Sequence, residues 1–216
     1  MVRYVLEQEY EGKAELSAKV TAAAGMFGLA TAERKRQVVR RTEVRIERGQ
    51  VVYITGGSGA GKSSVLRLLR ERMAGAVDLR EQEVPRGKAV VDCWAGELRE
   101  SLYWLSLAGL SEAPALLSCA EELSDGQLYR LRLALAMARR AEVICIDEFC
   151  ATLDRVTAAV VAHNVRRCAD RFGTTFVVAT SHDDLLEDLR PDVVMIQHLG
   201  GECDVYYPRY GRGKGK

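Results

Sequence analysis

Hydrophobic and polar positions alternate cleanly through "TEVRIE", where Thr42, Val44 and Ile46 are separated by Glu43, Arg45 and Glu47. That period of two marks a half-exposed strand. After a turn at Gly49 and Gln50 the run "VVYIT" is apolar without interruption, the mark of a strand buried on both faces. The pattern then shifts to helical spacing in "SSVLRLLRERMAG", through Val65, Leu68 and Leu69. Downstream, "KAVVDCW" reads as a short strand, "GELRESLYWLSLAGL" as a helix and "LSDGQLYRLRLALAMARR" as a second helix. The series continues with strand "AEVICID", helix "VTAAVVAHNVRRCADRF", strand "TTFVVATS", short helix "DDLLEDLR" and strand "DVVMIQHL". "DVYYPRY" follows as an edge strand. Strands alternating with helices predict an α/β fold around a mainly parallel sheet. The strand-rich first 50 residues predict a small antiparallel part attached to it. One domain is expected over residues 1–210, with a short helical lobe at about 93–140 and a disordered basic tail at 211–216.

Bulk properties narrow the class. The chain has 216 residues, 48% hydrophobic and 28% charged, ordinary values for a globular protein with one sizeable core. A net charge of +1 gives no global attraction to nucleic acid or membrane. The six cysteines are scattered without a CxxC pair, which argues against zinc and disulfides and for a reducing, cytoplasmic setting. The charged opening "MVRYVLEQEYEG" is not a signal peptide, and no apolar run is long enough to span a bilayer. "ERKRQVVRR", Glu33 to Arg41, is the one basic cluster, and a solvated face explains it better than a nucleic-acid contact.

Candidate chemistry starts at "GGSGAGKS", which matches G-x-x-x-x-G-K-[ST] between a buried strand and a helix. Glycines let backbone N–H groups converge on phosphate oxygens, and the helix N-terminus adds partial positive charge. Gly56, Gly57, Ser58, Gly59, Ala60, Gly61, Lys62, Ser63 and Ser64 are therefore expected to cradle a nucleoside triphosphate. Lys62 should reach the β- and γ-phosphates and Ser63 should ligate Mg²⁺. "VICIDEF" puts Asp147 and Glu148 at the end of a buried strand, where such sheets bind ligands. Asp147 is the candidate for the Mg²⁺ shell, and Glu148 for orienting and polarising the attacking water. "LSDGQ" opens the next question, because Ser124 and Gln127 fit a helix capping box but sit between the other two motifs.

This order of motifs resembles the ATP-binding-cassette (ABC) ATPase superfamily, over about residues 25–200. The resemblance implies a P-loop NTPase cassette that binds and hydrolyses ATP with Mg²⁺. It further implies a head-to-tail homodimer in which Ser124, Gly126 and Gln127 contact the γ-phosphate of ATP held by the partner. "ATLD" matches the family's D-loop, with Asp154 as its aspartate, and His182 matches its switch histidine. Phe27 is a candidate for stacking on adenine, with a plain core role as the alternative.

Three features depart from the family pattern. Asp125 replaces the first signature glycine and would set a negative charge near the partner's γ-phosphate. The Q-loop glutamine is not apparent: Gln82 follows no predicted strand, and "KAVVDCW" leaves Asp92 or Trp94 near that position. Lys62 and Ser124 lie only 62 positions apart, so the helical lobe that docks transporter permeases is short. The favoured expectation is a soluble mechanochemical ATPase acting on nucleic acid or a nucleoprotein. The alternatives are the ATP-binding subunit of an ABC transporter with a permease partner, and a slow-turnover regulatory clamp.

Overall fold

The computed structural model describes residues 1–11, 17–28, 35–181 and 184–210. The anticipated basic tail at 211–216 lies outside them, as do His182, Glu33 and Arg34. The chain opens with β1 (Val2–Glu11), helix α1 (Ala18–Met26) and β2 (Lys35–Ile46). β1 and β2 pair antiparallel from Val2–Ile46 to Glu11–Lys35, the small separate sheet that the sequence predicts. Thr42, Val44 and Ile46 are buried while Glu43 and Arg45 are exposed, as the alternation requires. Helix α1 is absent from the sequence reading. Its nine residues bury none of their side chains, so no apolar stripe announces it.

The main sheet holds β3 (Val51–Thr55), β4 (Ala76–Asp78), β5 (Val143–Ile146), β6 (Thr175–Ala179), β7 (Val193–Gln197) and β8 (Cys203–Tyr206). Their order is β4-β5-β6-β3-β7-β8, parallel throughout except for β8 at the edge. The helices are α2 (Lys62–Arg72), α3 (Leu98–Leu107), α4 (Ala113–Leu117), α5 (Asp125–Ala138), α6 (Arg155–Phe172) and α7 (Leu186–Leu189). Successive residues of each central strand serve opposite cores. Val51, Tyr53, Ile144, Ile146, Phe176 and Val178 face a core filled from α3, α5 and α6. Val52, Ile54, Cys145, Val177 and Met195 face another, filled by α2 and by Leu6, Val39, Val44 and Ile46 of the antiparallel sheet. The antiparallel sheet is thus packed onto the same face as α2, next to the phosphate loop.

One expected strand is not a strand. "KAVVDCW" forms a 3-10 turn at Val90–Asp92, tied down by a single antiparallel bridge between Ala89 and Cys119. Its apolar run exists because Val90 is fully buried in the core beneath α3 and α5, not because it joins the sheet. The sheet position beside β5 is taken by β4, which follows the left-handed Gly75. With three residues, β4 is too short to show a period. All six cysteines are free, and Cys145 is a fully buried core residue. Among the described residues no helix is long and apolar enough to cross a membrane.

Candidate functional site

The phosphate loop joins the C-terminal end of β3 to α2. Two glycines set its path. Gly56 has φ +141 and passes so close to β7 that a Cβ would lie 2.1 Å from the Gln197 carbonyl oxygen. Gly61, at φ +105, is the N-cap of α2, and a Cβ there would meet Val38 Cγ1 at 3.0 Å. The loop is therefore pressed between β7 and β2, and only glycine fits at these two points. No side chain caps α2, which leaves its positive N-terminal end to a ligand. Lys62 Nζ donates to the carbonyls of Gly56 at 2.9 Å and Gly57 at 3.0 Å, so the ammonium lies over the loop.

Opposite this loop, β5 is followed directly by Asp147 and Glu148. Ser58, Gly59, Lys62, Ser63, Asp147 and Glu148 line one cavity of about 250 Å³. A second cavity of about 480 Å³ shares Ser63, Asp147 and Glu148 and adds Ser64, Arg70 and Arg80. The turn at 147–150 contains two non-glycine residues in the left-handed region, Glu148 at φ 54 and Cys150 at φ 58. Such conformations persist only where surroundings enforce them. Here fully buried Phe149 donates its N–H to the Ala179 carbonyl at 2.8 Å. Cys150 donates its own N–H to Tyr129 Oη at 3.2 Å. Burial raises the Cys150 thiol to about 12 and keeps it neutral.

Tyr129 belongs to α5, so this helix is fixed directly to the carboxylate turn. Gly126 deepens that contact, since a Cβ there would lie 3.1 Å from the Thr152 carbonyl and 3.3 Å from Leu153. Ser124 and Gln127 form the anticipated capping box. Gln127 N–H donates to Ser124 Oγ at 3.3 Å, and Ser124 N–H donates to Gln127 Oε1 at 3.0 Å. Asp125 is exposed in the first turn of α5, where a carboxylate suits the helix dipole. Ser124, Gly126 and Gln127 line neither phosphate-loop cavity of their own chain. Asp154 caps α6, accepting from the N–H groups of Val156 and Thr157 and from the Thr157 hydroxyl at 2.6 Å.

Other expected residues fall differently. Phe27 is 80% exposed at the end of α1 and lines neither cavity. Asp92 and Trp94 line neither cavity either. Gln82, by contrast, does follow a strand: β4 leads through a 3-10 turn, Leu79–Glu81, straight to it. It is buried, donates from Nε2 to the Glu83 carbonyl at 2.7 Å and lies within 3.4 Å of Arg139. The same segment carries Arg80, which sequence reasoning missed. Its guanidinium lies 3.4 Å from both Asp78 Oδ1 and Asp147 Oδ2. The only sequence signal was an arginine near an unrecognised strand end.

A magnesium ion suits this donor set. Among the described residues no group of three or more His, Cys, Asp or Glu gathers into a protein-only metal cage. One hydroxyl and one carboxylate, Ser63 and Asp147, share a cavity, and magnesium takes few protein oxygens when phosphate and water complete its shell.

The AAA domain family profile matches residues 44–189 of the chain. An aliphatic sulfonates import ATP-binding protein of Pseudomonas fluorescens is 29% identical over 199 residues, covering 81% of this chain and 74% of its own. A methionine import ATP-binding protein of Nocardia farcinica is 25% identical over 205 residues, covering 77% of this chain and 60% of its own. A lipoprotein-releasing system ATP-binding protein of Zymomonas mobilis is 25% identical over 212 residues, covering 81% and 90%. Among solved structures, the dimeric post-hydrolysis state of an ATP-binding cassette bound to ADP and Pi superimposes with a TM-score of 0.68. That match spans 97% of this chain and all of the other at 17% identity, a likeness of fold.

Proposed function

The chain belongs to the AAA-domain family and to the ABC ATPase superfamily, and from that premise we propose how its residues bind and hydrolyse ATP and what they drive. The reading rests foremost on one observation: the phosphate loop and the carboxylate pair, far apart in sequence, line one cavity. The loop amides and the α2 N-terminus bind the β- and γ-phosphates, and Lys62 moves from the Gly56 and Gly57 carbonyls onto them. Ser63 and Asp147 would hold a magnesium ion, which when bound would supply neutralisation of phosphate charge. Glu148 orients a water for in-line attack on the γ-phosphorus and accepts its proton as the bond to the ADP oxygen breaks. Such a base contributes on the order of 10²–10⁴-fold.

Ser124, Gly126 and Gln127 close the site across a head-to-tail homodimer, placing the positive end of α5 against the partner's γ-phosphate. The solved neighbour is itself dimeric and bound to ADP and Pi, which supports pairing of two cassettes. Because Tyr129 and Gly126 fix α5 to the 147–153 turn, loss of the γ-phosphate in one site is felt by the signature of the other.

The work done by this cycle is transport. The named relatives serve import and lipoprotein-releasing systems, which favours the transporter ATP-binding subunit over the nucleic-acid reading. A groove of about 580 Å³ lined by the 80–86 segment, Ala120, Glu121, Leu128 and Arg132 is a surface on which a membrane subunit would be sought. Phosphate release from ATP, with Lys62→Ala and Glu148→Gln as inactive controls, tests the enzyme. Recovery of the chain with a membrane protein, against stimulation of its ATPase by DNA or RNA, tests the partner.

A further inference from the structure

Both carboxylate oxygens of Asp147 already have partners. Oδ1 accepts the Glu148 N–H at 3.1 Å, and Oδ2 faces the Arg80 guanidinium at 3.4 Å. Asp147 is 9% exposed, so this is a largely desolvated carboxylate. Arg80 is held in place from behind. It follows Asp78 by two positions, its backbone N–H donates to Asp78 Oδ1 at 2.9 Å, and its side chain reaches the same carboxylate. Asp78 is buried and is pinned from the other side by Arg70 at 3.0 Å. Hydrogen bonding to Asp78 first, then the charges of Asp78, Asp147 and Glu148, keeps Arg80 protonated at all working pH values.

We propose that Arg80 is a positioning residue that competes with the divalent cation for Asp147 Oδ2 and so sets the metal requirement of the nucleotide site. The inference rests on the ATP-site reading above. For Asp147 to serve the metal through Oδ2, the guanidinium must withdraw onto Asp78, its standing second partner. The exchange is local: one cation leaves the oxygen as another arrives, and Asp147 is never left buried and unpaired. The coupling is modest, because Arg80 is 63% exposed and its pair with Asp147 is partly solvated.

The test is Mn²⁺ binding to the full chain in the presence of a non-hydrolysable ATP analogue, with free Mn²⁺ read by electron paramagnetic resonance. Arg80→Gln should tighten Mn²⁺ about two- to fivefold, the range that fits a partly exposed ion pair. Arg80→Lys, which keeps the charge, should restore most of the wild-type value. Nucleotide affinity in EDTA serves as the control, since a merely structural role would change it alongside the Mn²⁺ affinity and in the same direction. Mn²⁺ binding by Arg80→Gln that is equal to or weaker than wild type overturns the assignment. Failure of the wild-type chain to bind the analogue would instead overturn the ATP-site reading, and this inference with it.

Discussion

Gly56, Gly57 and Gly59 stand within four positions of one another, yet replacing each by alanine should have three different consequences. At Gly57 a Cβ meets nothing within 4 Å, and its backbone is not in the positive-φ region, so Gly57→Ala should change stability by no more than about 0.5 kcal/mol. At Gly59 the space is equally open but φ is +72, so the left-handed penalty applies alone, about 1–2 kcal/mol. At Gly56 the backbone lies at φ +141 and the Cβ would sit 2.1 Å from the Gln197 carbonyl oxygen. The strained conformation costs about 1–3 kcal/mol. Forcing the loop away from β7 adds overpacking of about 1–3 kcal/mol. Together these give about 4 kcal/mol, a fall in melting temperature on the order of 10 °C for a chain of this size. Because the displaced backbone belongs to the proposed phosphate cradle, Gly56→Ala should also weaken ATP binding at least about tenfold. Thermal melts and a fluorescent-nucleotide titration of the three variants decide it. A Gly56→Ala protein that melts with Gly57→Ala would refute the packing of the loop against β7.

Other consequences follow from local geometry. Arg130, in α5, donates to the Gly126 and Gly109 carbonyls and to Glu112, and Arg130→Met should cost about 3 kcal/mol in urea unfolding by leaving those acceptors unpaired. The Asp154 carboxyl is held below its ordinary 3.8, first by the Thr157 hydroxyl. Its stabilising contribution is thus complete above that value and lost as pH falls through the lower folded value. The stability gap between wild type and Asp154→Asn should therefore shrink on going from neutral pH to about pH 3, as followed by melts across pH. Burial pushes the Cys145, Cys150 and Cys168 thiols up to about 12. A thiol reagent at pH 8 should leave these three unmodified until the protein unfolds, whereas half-buried Cys119 reacts in the native state, as peptide mass mapping would show.

The legible parts of this chain are those with a period or a punctuated motif. Buried strands such as VVYIT and VICI stood out as short unbroken apolar runs, TEVRIE by its alternation, and a helix such as α2 by apolar residues at helical spacing. Gly56 and Gly61 were readable because they hold the two glycine positions of G-x-x-x-x-G-K-[ST], and the structure adds that both are pressed against neighbouring strands. What stayed hidden was short or ambiguous. The run around Val90 is as apolar as a strand but owes this to the core beneath the helical lobe. The true neighbour of β5 has three residues and ends in a buried aspartate, so neither it nor Gln82 behind it could be recognised. Arg80 was invisible for the same reason: its meaning depends on Asp78 and Asp147 being brought together by the β4–β5 pairing.

The central claim is that ATP closes two chains around the shared signature. It is tested most directly by the mass in solution of the Glu148→Gln protein with and without Mg-ATP. Binding without turnover should convert one-chain particles into two-chain particles, and Ser124→Arg in the same background should abolish the shift. A mass that stays at one chain under saturating Mg-ATP would contradict the composite site.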